Sequence, residues 1–263
     1  MAALYSLIET NSRQIAFITL FLILAWETAA PFFSFFKAKH TARLQHGIKN
    51  FFFGFINAVL ISTIFIWLWD ISSSVSYGLL HMISFSKALN AIIAILLFDL
   101  WTYWWHRFNH TVPFLWRFHQ VHHSDPTMDV STAYRFHFGE IIISSILRAG
   151  VIIVIGAELW HLALYELLMF PVVQFHHANI SLPEKLDKLL RIFIVTPSMH
   201  KVHHSKYQPE TDSNYTSLFS IWDRLFGSFR VSKNTRNIKF GLEQFSSKDK
   251  LSLKELIKTP AKR

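Results

Sequence analysis

Long apolar stretches constrain this chain before any motif does. Residues 15–36 are almost entirely apolar, broken only by Glu27 and Pro31, and residues 51–69 and 89–105 repeat that character. Each is close to the roughly 20 residues that a helix needs to cross a hydrocarbon core. A fourth apolar region, residues 141–157 and 161–173, is interrupted around Gly156 to Trp160. It reads as a hairpin that enters and returns, either as two half-length passes or as two full ones. Charged residues make up only 16% of the chain, against about 25% in an ordinary soluble domain. The expected fold class is therefore all-α, a polytopic membrane helical bundle forming one membrane-embedded unit over residues 1–263.

Charge orients the bundle. Lys37, Lys39, Arg43 and Lys49 crowd the loop after the first apolar run, whereas residues 70–87 are Ser-rich and nearly uncharged. Basic loops stay cytoplasmic, so the chain returns to the cytoplasmic side after residue 105. The net charge of +9 fits anionic lipid headgroups and comes with no nucleic-acid-binding motif. The first residues have no basic segment ahead of the apolar run and no small-residue cleavage site, so a cleaved signal peptide is not expected. The tail from residue 231 to 263 is basic and weakly patterned, and is expected on the membrane surface or partly disordered.

Histidines gather where the third apolar run ends. His106 and His110 are followed by His119, His122 and His123, and the pattern H-x-x-H-H returns as His200, His203 and His204. Residues three and four apart share a helix face, so each stretch presents two or three imidazoles together. The hairpin brings His137 and His177 back to the same side. Eight clustered histidines, with two more nearby, exceed what one ion of four to six ligands can use, so two metal ions are the economical reading. Imidazole suits iron, zinc, copper and nickel alike. No cysteine is present, which excludes disulfides, iron–sulfur clusters and thiolate zinc sites. There is no H-E-x-x-H for a zinc peptidase, and carboxylates are too sparse for the Glu-x-x-His sites of soluble di-iron bundles. His40, His46, His81 and His161 read as packed or interfacial residues.

A histidine-only metal pair beside an apolar cavity fits oxidation of a lipid chain away from water. The motifs resemble the fatty acid hydroxylase and sterol desaturase superfamily over roughly residues 95–230. D-L-W-T-Y-W-W-H-R-F-N-H contains Asp99, Tyr103, His106 and His110, and P-F-L-W-R-F-H-Q-V-H-H-S supplies His119, His122 and His123. Y-R-F-H-F-G-E is similar to the family's Arg-x-His-Pro-x-Glu segment and keeps Arg135, His137 and Glu140, with Phe138 where proline is usual. Q-F-H-H-A-N-I aligns His177 and Asn179 more naturally than His176. T-P-S-M-H-K-V-H-H-S carries His200, His203 and His204, and D-S-N-Y-T-S-L-F-S-I-W-D-R-L-F-G follows, with Thr216 at a position often glycine.

The resemblance implies transmembrane helices capped on the cytosolic side by helices that hold the metals. N-terminal helices would occupy residues 1–92, the catalytic region 93–230 and the tail 231–263. It also implies two iron ions, O2 as co-substrate, a separate electron-donor chain and a membrane lipid such as a sterol or fatty acyl chain, hydroxylated rather than desaturated. Ten ligands carry over: His106, His110, His119, His122, His123, His137, His177, His200, His203 and His204. Asp99, Asn179, Asn214 and Asp223 are candidates for orienting imidazoles from behind. Competing readings are a histidine-rich membrane metal transporter or sensor, a bis-histidine haem electron carrier and a zinc hydrolase.

Overall fold

The structure is a computed structural model. It describes residues 2–37, 39–74, 77–82 and 86–262, with the side chains of 2–10, 12–13, 65–66 and 68–74 left aside. The uncharged loop expected over 70–87 falls partly on residues 75–76 and 83–85, outside the described residues. In chain order the helices are α1 (Ala2–Ala29), α2 (His40–Ser74), α3 (Leu79–Met82), α4 (Lys87–Thr111), α5 (Pro113–His123), α6 (Phe138–Ile155), α7 (Leu159–His177), α8 (Glu184–Leu190), α9 (Pro197–His203), α10 (Gln208–Thr211), α11 (Ile221–Leu225) and α12 (Leu253–Lys258). No strand is present among the described residues, only the isolated bridges Ile194–Phe219 and Ser205–Phe240. The all-helical expectation is met.

Three helical stretches among the described residues are long and apolar enough to cross a membrane: His40–Ile64, Lys87–Thr111 and Phe138–Ile155. The first apolar run is helical only to Ala29, because a proline two residues on disfavours continuation. Residues beyond it pair with the end of α7 instead: Phe32 N–H donates to the Asn179 carbonyl at 2.8 Å, and the Asn179 amide bonds both polar groups of the Phe33 backbone at 2.9 Å.

The 156–160 interruption is a helical hairpin. α6 has 18 residues and α7 has 19, so each is about 27–29 Å long at 1.5 Å per residue, close to the thickness of the hydrocarbon core. Gly156 closes α6 at φ 70°, with its N–H on the Ile152 carbonyl at 2.9 Å. That left-handed conformation carries no Cβ penalty in glycine. The Arg148 charge that argues against a full pass is met by Glu166 of α7 at 2.8 Å, the usual solution for ions at membrane depth.

α1 packs on α7, α2 on α6, and α4 on both α5 and α7. Phe98, Ile152, Leu159 and Tyr165 form the core between α4, α6 and α7. α8 stops at Leu190, where residues 191–193 turn and Ile194 bridges Phe219.

The tail departs from the sequence expectation. Phe245 and Leu256 are buried against Phe53 and Val121, and Phe240 against Met128 and Val202. Apolar residues spaced among the lysines give it a face to bury, and a fully covered Leu or Phe contributes about 1.5–3 kcal/mol. The tail is therefore a strap across α2 and α5.

Candidate metal centre

All the helices that carry clustered histidines meet at one end of the bundle. His106 and His110 occupy the last turns of α4. Pro113 then starts α5 at a position where its missing N–H costs nothing, and α5 places His119, His122 and His123 against them. His177 closes α7, and α9, also begun by a proline, brings His200 and His203 with His204 as its cap.

A buried polar network fixes α5. Arg135, 1% exposed, donates from Nε to the Val121 carbonyl at 2.9 Å, from Nη1 to Asn50 Oδ1 at 2.9 Å and from Nη2 to Ser124 Oγ at 2.8 Å. His46 Nε2 lies 2.8 Å from Asp125 Oδ2. The residues that follow His123 are thereby tied to α2.

The imidazoles sort into two groups. His106, His110, His119, His123 and His203 each offer a ligand nitrogen within 4.8 Å of the others, and so do His122, His177, His200 and His204. In the first group Nδ1 of every ring but His123 is engaged from outside. His106 Nδ1 donates to the Tyr215 carbonyl at 2.6 Å, His203 Nδ1 to the Ser213 carbonyl at 2.7 Å, and His119 Nδ1 to Glu140 Oε1 at 3.0 Å. His110 Nδ1 faces Asp212 Oδ1 at 3.3 Å. A carbonyl can only accept, so the proton of His106 and His203 is on Nδ1 and the Nε2 lone pair is free. Nε2 of His106, His110, His119 and His203, and both nitrogens of His123, are buried without a hydrogen-bond partner. One buried unpaired polar atom costs about 1–3 kcal/mol; five rings converging in that condition fit a metal ion.

In the second group the Nε2 atoms face one another: His122 to His177 at 3.2 Å, His177 to His200 at 3.0 Å and His200 to His204 at 3.1 Å. His177 Nδ1 donates to the Val173 carbonyl at 2.8 Å, so its Nε2 is also a bare acceptor. Two nitrogens bound to one ion at about 2.1 Å are about 3.0–3.4 Å apart, which matches these spacings. The groups adjoin, with His123 and His204 stacked at 4.5 Å between ring centroids.

Burial keeps the rings neutral. It holds His122, His123, His200 and His204 well below the usual imidazole range, aided by neighbouring imidazoles. It pushes His203 down to about 3, partly opposed by the Ser213 carbonyl. Neutral imidazole is the ligating form.

Nine of the ten histidines singled out by sequence are thus brought together, and the tenth, His137, lies outside both groups. Its Nδ1 accepts the Gly139 N–H at 3.0 Å and its Nε2 donates to the Ile257 carbonyl at 3.1 Å. It caps α6 and fastens the tail. His177 lies in the second group. His176 lies outside both, its ring 3.9 Å from that of His200. His46 pairs with Asp125, His161 accepts the Glu158 N–H at 3.1 Å as part of a cap, and His40 and His81 are exposed.

Asp99, Asn179, Asn214 and Asp223 hold backbone rather than imidazoles. Asp99 accepts from Tyr165, the Phe219 N–H and Trp222 at 2.8–3.1 Å. Asp223 accepts the Tyr215 N–H at 2.8 Å and the Thr216 hydroxyl at 2.6 Å, so it places the carbonyl that His106 uses. Asn214, at φ 52°, donates to the Met199 carbonyl at 3.0 Å. The direct partners of the rings are Glu140, Asp212, Ser213 and Tyr215 in the first group and Val173 in the second. Glu140 was visible within the Arg-x-His segment, though not its role; Asp212, 102 residues from His110, had no local signal.

Two adjoining groups of histidines, spaced so that each could hold a metal ion, at the end of an apolar helical bundle mark the class as a histidine-rich membrane protein. The family profile described as fatty acid hydroxylase matches residues 91–228, and the chain belongs to that family. It is 34% identical over 137 residues to alkylglycerol monooxygenase of Danio rerio, covering 52% of this chain and 30% of that protein. It is 30% identical over 155 residues to an ornithine lipid hydroxylase of Rhizobium tropici, covering 59% and 46%. Cholesterol 25-hydroxylase of Rattus norvegicus is 24% identical over 161 residues, covering 59% and 51%. The matched part thus spans between about a third and a half of these relatives' own lengths. No solved structure matches the chain significantly.

Proposed function

We propose that this protein is a membrane oxygenase that uses O2 and electrons from a separate donor to hydroxylate a lipid, with two iron ions in its two histidine groups. The observation that carries this reading is the convergence of nine buried or half-buried imidazoles in two groups at the end of apolar helices, with unpartnered nitrogens in the first and Nε2 atoms facing one another in the second. The family and the lipid-hydroxylating relatives support it. Iron bound there supplies reduction of O2 and oxidation of an unactivated C–H bond. The rest is the work of the chain. His106, His110, His119, His123 and His203 hold one ion, and His122, His177, His200 and His204 the other. Glu140 and Asp212 accept from Nδ1 of His119 and His110, which turns Nε2 inward and raises its basicity. The apolar helices below the centre keep water from the reacting carbon.

The packing of the rings disfavours the haem alternative, because centroids 4.5–5.0 Å apart leave no slot for a macrocycle between them. The ligand end faces the cytoplasm in this reading, following the basic loop after α1. The test is to purify the protein without a chelating tag, measure bound metal and supply labelled O2. Two irons per chain and label incorporated into a lipid are expected. Fewer than one transition metal per chain, or oxidation that persists without O2, would sink the reading. A two-hydrogen mass loss without label would mean desaturation instead.

A further inference from the structure

A cavity of about 430 Å³ opens beside α8 and α9, away from the imidazoles, with Phe32, Lys188, Arg191, Ser198, Lys201 and Lys233 on its wall. Glu184 and Asp187 also line it, but each already faces a cation: Glu184 with Lys188 at 2.5 Å on the exposed rim, Asp187 with Arg191 at 3.4 Å. Lys201 and Lys233 make no ion pair among the described residues. Lys201 is 3% exposed, and its Nζ donates to the carbonyls of Ile180 at 2.8 Å and Ala178 at 3.3 Å. Carbonyl dipoles solvate an ammonium without cancelling its charge, so a buried cation of this kind favours an anion beside it. The positive character extends past the wall, since the Arg236 guanidinium lies 4.6 Å from the centroid of the Phe32 ring and Lys201 Nζ 5.2 Å from it.

The surroundings say what kind of anion. Leu186, Leu189, Ile192 and Phe193, on α8 and the turn after it, are 42%, 55%, 54% and 62% exposed. They alternate with Asp187, Lys188 and Arg191, which face the cavity. A segment with one apolar and one cationic side lies in the plane of a membrane interface, its apolar side within the headgroup and acyl boundary. That puts the cavity at headgroup depth.

We propose that this cavity binds the phosphate group of a glycerophospholipid, with Lys201 and Lys233 as the charges that select it. Several cations suit a compact group with many acceptor oxygens. The further step, that this lipid is the substrate, rests on the oxygenase reading above; the binding itself does not.

The protein in a phosphate-free maltoside detergent would be titrated, without O2, with dioctanoyl phosphatidic acid and with dioctanoylglycerol, binding being read by native mass spectrometry. The phosphate-bearing lipid should bind at least tenfold more tightly. Lys201→Met and Lys233→Glu should each cut that preference below threefold with bound metal unchanged. Lys233 is exposed, so its variant decides the matter if Lys201→Met does not fold. Equal binding of the two lipids, or a preference kept in Lys233→Glu, overturns the proposal. Inorganic phosphate competing at the concentration of the lipid would show a free-anion site and overturn the lipid assignment. A preference with no oxidised product in the labelled O2 experiment would sink the oxygenase reading and leave the site standing.

Discussion

The two histidine groups share α5 and α9, yet they are oriented by opposite means. In the first, His106, His119 and His203 are turned by acceptors that the fold supplies from behind, two backbone carbonyls and Glu140. In the second only His177 has such a tether; His122 and His200 meet His177, and His204 meets His200, through Nε2 atoms 3.0–3.2 Å apart. A ring locked by an outside acceptor keeps its aim with or without an ion. Rings that meet nitrogen to nitrogen repel through their lone pairs unless a cation or a proton lies among them. In the proposed centre the tethered rings of the first group would be arranged before metal arrives, and the second group would be completed by it.

The strongest way to break this contrast is His203→Ala, which removes a tethered ligand. Bound metal should fall from two ions toward one, and O2-dependent lipid oxidation should drop by more than the about 10–100-fold that follows loss of a partner behind a ligand. Full metal content in that variant would refute the assignment of the first group. Glu140→Ala should weaken metal binding about 10–100-fold at the first group only, read by stepwise chelator competition. Asp212→Ala should do less, because its carboxylate is 39% exposed and 3.3 Å from His110. Equal weakening of both ions would erase the distinction.

Acid gives a smaller, graded effect. His203 has its ordinary value of 6.5 when unfolded and about 3 when folded, so between these pH values the unfolded chain binds a proton that the folded chain refuses. Stability of the chelated protein is then complete above about pH 6.5 and falls as pH drops through that window. Thermal melts at successive pH values check the sign; a melting temperature that rises on acidification would contradict it. The smallest effect belongs to His137→Ala, which should keep both ions and lose about 1 kcal/mol, the scale of a helix cap, in denaturant unfolding. Loss of metal there would return His137 to the ligand set.

These contrasts mark what the sequence could and could not disclose. Spacing on a helix face is local, so His106 with His110, and His119 with His122 and His123, were legible as ligand sets. The division into groups was not, because His122 and His123 are chain neighbours that turn to different groups. His137 stood in a motif beside Glu140, and only the fold distinguishes a ring whose nitrogens serve Gly139 and Ile257 from one aimed at a metal. Asp212 and Ser213 meet His110 and His203 through a loop with no pattern of its own. Hydropathy marked the spans, but it undervalued α6 for its Arg148, whose partner lies on the next helix, and it missed the buried face of a lysine-rich tail.

That tail also has a consequence in time. Every ligand precedes residue 205, whereas Leu256 and Ile257, which pack on Phe53 and bond His137, lie some fifty residues further on. At elongation rates of about 5–20 residues per second, roughly 3–10 s separate synthesis of the last imidazole from that of the residues that close over α5. During that interval the histidine groups lie beneath a roof not yet made, and a metal ion, if the proposed centre takes one up then, would have its widest approach.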